Sequence, residues 1–262
     1  MNRIQLLYGL VAGSTIFLGL PVAWMTRISE RTRGFLNALS TGVLIFLLVE
    51  IAGKSIEGIE ELLVSSTEGY ATLTSALIFS GELIAGLAIG LLSMVFFENR
   101  FIRQGKDKLP SSSRAHHVAM MIAVGIGIHN LTEGLAIAQA TAWGQESMAL
   151  FLAVGFALHN ATEGFGIAAP LSGQRASTRF LLLAGLIGGG PTLAGVIVGS
   201  YVQSQDFAMF SFGLAAGVIL FVIGELLHLG RSLKGEAIAE IGLLTGFAIA
   251  FVTEMLVVWN GL

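Results

Sequence analysis

Residues 123–138 read AVGIGIHNLTEGLAIA, and residues 153–168 read AVGFALHNATEGFGIA. The two copies lie thirty residues apart and agree at ten of sixteen positions. Each sets a His, an Asn and a Glu inside an otherwise apolar run of helical length: His129, Asn130 and Glu133 in the first, His159, Asn160 and Glu163 in the second. Ionisable side chains are costly in an apolar helix, and by default they mark an ion or substrate path.

The surrounding composition fixes the class of protein. Of 262 residues, 54% are hydrophobic and only 12% charged, with no cysteine and a mean hydropathy of +0.81. Soluble domains carry about 25% charged residues, so this is an all-α polytopic membrane protein. Without cysteine, disulfides and thiolate metal sites are excluded. A nucleic-acid partner is not expected; the lipid bilayer is.

Apolar runs long enough to cross about 30 Å of hydrocarbon fall near 4–26, 35–56, 72–98, 116–140, 147–170, 178–202, 208–229 and 238–259, which predicts eight transmembrane helices. Segments 27–34, 99–115, 171–179 and 230–236 hold twelve of the fourteen Lys and Arg residues. The positive-inside rule assigns those segments to the cytoplasm and both termini to the outside. Arg3 ahead of an apolar run would also suit a cleaved signal peptide. The lack of a small-x-small cleavage pattern and the fit of eight spans to the charge alternation favour a retained helix. The longest connection, 99–115, carries LPSSS and reads as a flexible cytoplasmic loop. His116 and His117, just beyond it, read as a polar helix end.

With alternating spans, the fourth and fifth helices run in opposite directions, so the doubled motif is an antiparallel pair. A second echo matches GVLIFLLVE (Gly42–Glu50) to GVILFVIGE (Gly217–Glu225), again on oppositely directed helices. Both suit an inverted-topology repeat, which sets binding sites near the bilayer midplane. Six GxxxG spacings, among them Gly86/Gly90, Gly195/Gly199 and Gly213/Gly217, read as close helix packing. They define no dimer interface, and the sequence leaves a homodimer open.

Within each motif copy the His and Glu stand four apart and share a helix face. If the two helices pack together, two imidazoles and two carboxylates converge, a nitrogen and oxygen donor set suited to a divalent metal such as Zn²⁺. Asn130 and Asn160 could add amide oxygens. Two facing carboxylates without a cation would repel, so a proton or a metal is required. Thr132 and Thr162 are expected to bond back to a carbonyl and bend their helices, and Gly134 and Gly164 to loosen the backbone. Elsewhere in the spans, Glu225 and His228 have i, i+3 spacing and form a secondary candidate with Glu50, the repeat mate of Glu225. Glu82 and Glu254 receive no role.

The paired HNxxEG helices in an eight-helix frame resemble the ZIP (Zrt/Irt-like) family of divalent metal transporters. The resemblance spans most of the chain. It implies a single transport domain over 1–262 in a 3+2+3 inverted repeat, in the plasma (inner) membrane. It also implies that His129, Asn130, Glu133, His159, Asn160 and Glu163 bind the transported ion. Zinc is then the expected substrate, with Fe²⁺, Mn²⁺ or Cd²⁺ as further candidates, and no bound cofactor or catalytic residue is expected. Three departures stand out: Thr in place of Pro before each Glu, His159 and Asn160 where Gln and Asp are common, and Gly190 rather than Glu before Pro191. They remove negative charge from a second metal position. An intramembrane metal hydrolase and a proton-coupled organic-solute carrier are the rival readings. The first lacks an HExxH or Ser/His/Asp arrangement, and the second would be insensitive to chelators.

Overall fold

A computed structural model of the chain describes residues 3–24, 29–65, 70–103, 111–168, 171, 176–202, 204–232 and 236–259. Among these, every regular element is helical, and eight helices are long and apolar enough to cross a membrane. They are α1 (Arg3–Trp24), α2 (Glu30–Ser65), α3 (Tyr70–Phe97), α4 (Ser111–Ala142), α5 (Glu146–Ala168), α6 (Thr178–Tyr201), α7 (Gln205–Ser232) and α8 (Glu236–Trp259). All eight coincide with the apolar runs of the sequence.

Two boundaries differ from the expectation. The apolar run of the second span stops near 56, yet α2 continues to Ser65. Nothing in IEGIEELL breaks a helix, and Lys54 pairs with Glu57 at 3.4 Å one turn on. The connection read as a flexible loop over 99–115 is shorter than expected, because Glu98–Arg103 prolongs α3 as a π-helical turn and α4 already begins at Ser111. The three serines after Pro110 thus open a helix, where Pro ahead of the first turn costs no hydrogen bond. The rest of that stretch, 104–110, lies outside the described residues.

The helices sort into two bundles. One joins α1, α4, α5 and α6; the other joins α2, α3, α7 and α8. Within each, glycines bring backbones into contact. A Cβ on Gly134 would collide with the Thr192 carbonyl oxygen, and one on Gly195 with that of Leu131, locking α4 to α6. Gly164 meets the carbonyl of Ile16, and Gly19 packs on the backbone of Ala161–Phe165, locking α5 to α1. In the second bundle, Gly86, Gly90, Gly213 and Gly217 seat α3 on α7, and Gly42 and Gly246 seat α2 on α8. The GxxxG spacings are therefore seams inside the chain. Gly134 and Gly164 serve these seams rather than loosening the backbone, because each sits where only a hydrogen fits.

Between the bundles the contacts are made by bulky side chains. Phe46 of α2 meets Phe151 of α5 edge-on at 5.6 Å, and Leu47 fills the space over Gly155. Trp143, just past α4, meets Phe212 of α7 at 6.0 Å. These residues belong to one buried apolar cluster with Met148, Leu152, Phe156 and Ile219.

Gly134→Leu is expected to overpack the α4–α6 seam. A thermal-shift measurement in detergent should show the midpoint falling by the equivalent of about 1–3 kcal/mol or more. Gly166→Ala, a helical position where an added Cβ meets nothing within 4 Å, should leave the midpoint unchanged or raise it.

Candidate functional site

α4 ends in a tight turn. Gly144, at φ 72°, supplies the left-handed residue, while Gln145 N–H donates to the Ala140 carbonyl and Gly144 N–H to that of Thr141. This is a Schellman-type cap, and α5 starts at once with Glu146. Gly144 lies fifteen residues after His129 and fifteen before His159. At 1.5 Å per residue, each His is about 22 Å along its helix from the turn. Antiparallel packing therefore brings the two copies level with each other.

The two imidazoles face one another with ring centroids 5.4 Å apart. His129 Nε2 lies 2.9 Å from Glu133 Oε1 and 3.5 Å from Glu163 Oε1. His159 Nε2 lies 3.1 Å from Glu163 Oε1, close in distance but not aligned as a hydrogen bond. All four side chains are buried. Donor atoms of His129, Glu133 and His159 lie within 4.8 Å of one another, a spacing able to hold a metal ion. Nitrogen and oxygen donors bound at about 2.0–2.1 Å around a tetrahedral ion stand about 3.3 Å apart, which these separations resemble.

The two asparagines are anchored by the neighbouring helices. Asn130 Nδ2 donates to the Gly188 carbonyl of α6 and Asn160 Nδ2 to the Ala12 carbonyl of α1, both at 3.0 Å. A carbonyl accepts only the NH₂ end of an amide, so each Oδ1 is turned elsewhere. Pro191 stands inside α6, and α1 is interrupted at Thr15, whose hydroxyl donates to Ala12 as well. Thr132 and Thr162 bond back as expected, to the carbonyls of His129 and His159 at 2.7 and 2.6 Å. Those carbonyls are engaged rather than offered to a path.

Several buried polar atoms at this level have no hydrogen-bond partner: His129 Nδ1, Oε2 of Glu133 and Glu163, Oδ1 of Asn130 and Asn160, and Thr192 Oγ1. A buried acceptor left unmade costs about 1–3 kcal/mol, and more when charged. Most of these atoms are acceptors, a set suited to a cation or its equivalent in protons.

Sequence reasoning missed one participant. Ser40 of α2 places its hydroxyl 2.8 Å from His159 Nδ1, buried between the bundles. A serine in an apolar helix usually bonds its own backbone, as Ser55 does with Ile51, so its type and position carried no signal.

The secondary candidates are not brought to this site. Glu225 is half-buried and His228 exposed on α7, and neither belongs to the metal-ligating group found among the described residues. Glu50 is half-buried on α2, within electrostatic reach of Lys54, Glu57 and Glu254, which form a separate charged group. His116 packs edge-on against Phe180 at 4.8 Å.

A comparison with curated proteins returns no match. The family profile described as "ZIP Zinc transporter" matches residues 78–254, from α3 into α8. That covers more than half of the chain, together with both copies of the motif, and eight membrane-length helices accompany it. The chain is an integral membrane protein and belongs to the ZIP family of divalent metal transporters.

Proposed function

We propose that the chain admits Zn²⁺ to the cytoplasm through a His₂Glu₂ station between α4 and α5. One observation carries this reading: two imidazoles and two carboxylates converge, buried, at ligand-like distances in the middle of the α4–α5 pair. Borderline divalent ions suit imidazole and carboxylate donors, and Fe²⁺, Mn²⁺ or Cd²⁺ could compete where geometry allows. In this reading both termini lie outside, the connection after α3 is cytoplasmic, and 1–262 is one transport domain in the plasma membrane.

One ion is held firmly. Two carboxylates balance one divalent cation, whereas a second ion would leave two uncompensated positive charges in the bilayer core. The residues beside the primary set support this, because Asn130 and Asn160 bring neutral oxygens and Gly190 brings no side chain at all. The Asn side is at most a transient station.

The bundles supply the motion. Contacts that recur in matched pairs favour a 3+2+3 inverted repeat: Asn130 to Gly188 beside Gly134 to Thr192, and Asn160 to Ala12 beside Gly164 to Ile16. Backbone seams tie α1, α4, α5 and α6 into one body and pair α3 with α7 and α2 with α8, while the side-chain interface between bundles can repack. Displacing α1, α4, α5 and α6 as a unit would present the station to each side in turn.

His129→Ala and Glu133→Ala should each abolish saturable ⁶⁵Zn uptake into proteoliposomes; wild-type rates in both would refute the assignment. Protons compete with the metal for imidazole and carboxylate. Uptake at fixed external zinc should therefore decline as pH falls, and added zinc should restore it. Anomalous scattering at the zinc edge should show one fully occupied ion between α4 and α5; two full sites would overturn the single-ion reading.

A further inference from the structure

Ser40 is a member of the second bundle, yet its hydroxyl pairs with a histidine of the first. Its neighbours behave differently. Thr41 donates to Asn37 and Ser55 to Ile51, each within α2 itself. Ser40 alone of the three reaches across to another helix, and it is 3% exposed.

The two histidines differ for this reason. The register that matches Gly42–Glu50 to Gly217–Glu225 matches Ser40 to Ala215. Ala215 is fully buried and offers no hydroxyl. His129 Nδ1 correspondingly has no partner, while His159 Nδ1 has one. The ligand set is near-symmetric; its support is not.

We propose that Ser40 is a positioning residue that holds the His159 ring so that Nε2 meets the metal, with no counterpart for His129. The proposal rests on reading the site as a metal station. In the loaded state Nε2 gives its lone pair to the ion, so the one proton of the neutral ring resides on Nδ1 and is donated to Ser40 Oγ. A hydroxyl both donates and accepts, so the same serine also holds the ring when the proton arrangement reverses. Such outer partners fix ring orientation and tautomer, and their loss weakens metal affinity about 10- to 100-fold. Because the bond crosses between bundles, His159 has this support only in the arrangement seen here. Displacing one bundle against the other withdraws it.

The test uses the full chain with histidine ¹⁵N labels, loaded with ¹¹³Cd²⁺, alongside zinc uptake into proteoliposomes. The His159 resonances are assigned by their loss in His159→Gln. The wild-type spectrum should show cadmium coupled to His159 Nε2 and a protected proton on Nδ1. Ser40→Ala should lose that protection and raise the KM for zinc about tenfold, with kcat changed far less. Ser40→Thr, which keeps the hydroxyl, should retain the protected proton. Cadmium coupled to Nδ1 in the wild type overturns the proposal without recourse to any variant. So does a Ser40→Ala protein with an unchanged imidazole spectrum and a KM within twofold. Cadmium bound without coupling to either histidine sinks the metal-station reading and the Ser40 proposal with it. Normal coupling without zinc uptake removes only the transport reading.

Discussion

Two glutamates face each other in the middle of a membrane protein, and their mutual repulsion is the constraint on which the surrounding structure depends. Glu133 and Glu163 are buried in helices whose other positions are mostly apolar. An isolated ionised carboxylate is prohibitively costly there, and two together are costlier still. Only a divalent cation or its equivalent in protons relieves this. In the proposed metal station the imidazoles add donor nitrogens beside that charge balance. The unmade hydrogen bonds around the pair follow from the same requirement, since acceptors already satisfied by the protein would have little left to offer an ion.

Holding four polar side chains level in two antiparallel helices demands stiff surroundings, and glycine provides them. Where only a hydrogen separates backbones, as between Gly134 and Thr192 or Gly164 and Ile16, the helices have no freedom to slide. The Asn130 and Asn160 amides add directed bonds to the same neighbours. The bundle that carries the two His-Glu pairs is thereby made rigid, and the repackable surface is confined to its boundary with the other bundle. Ser40 spans that boundary, which makes the surroundings of His159 sensitive to how the bundles sit.

Much of this was legible in the chain itself. Apolar length predicted all eight helices, because lipid leaves a spanning segment few other conformations. The His and Glu of each motif share a face by helical period alone, and their level alignment followed from the repeat. What could not be read depended on tertiary approach. Gly134 and Gly164 look locally like flexible points, yet they are contact points, since the carbonyls they meet come from helices far along the chain. The helical start at Ser111 was hidden because serines after a proline suit a loop and a first turn equally. Ser40 was invisible because nothing local distinguishes a hydroxyl that bonds its own helix from one that reaches another. The spacing of Glu225 and His228 marks a secondary candidate apart from this cluster, with Glu225 half-buried and His228 exposed on α7.

The turn at Gly144 divides the motif-bearing hairpin into arms of equal length. Replacing a residue along either arm alters one contact. Adding or deleting one alters the phase of everything beyond it, by about 100° of rotation and 1.5 Å of rise. A single insertion in either helical arm between His129 and His159 would turn one His-Glu pair away from the other, whatever residue was inserted. The hairpin therefore stores the geometry of the site as a count of residues. A change of letter acts at one point of that count, and a change of length acts on all of it.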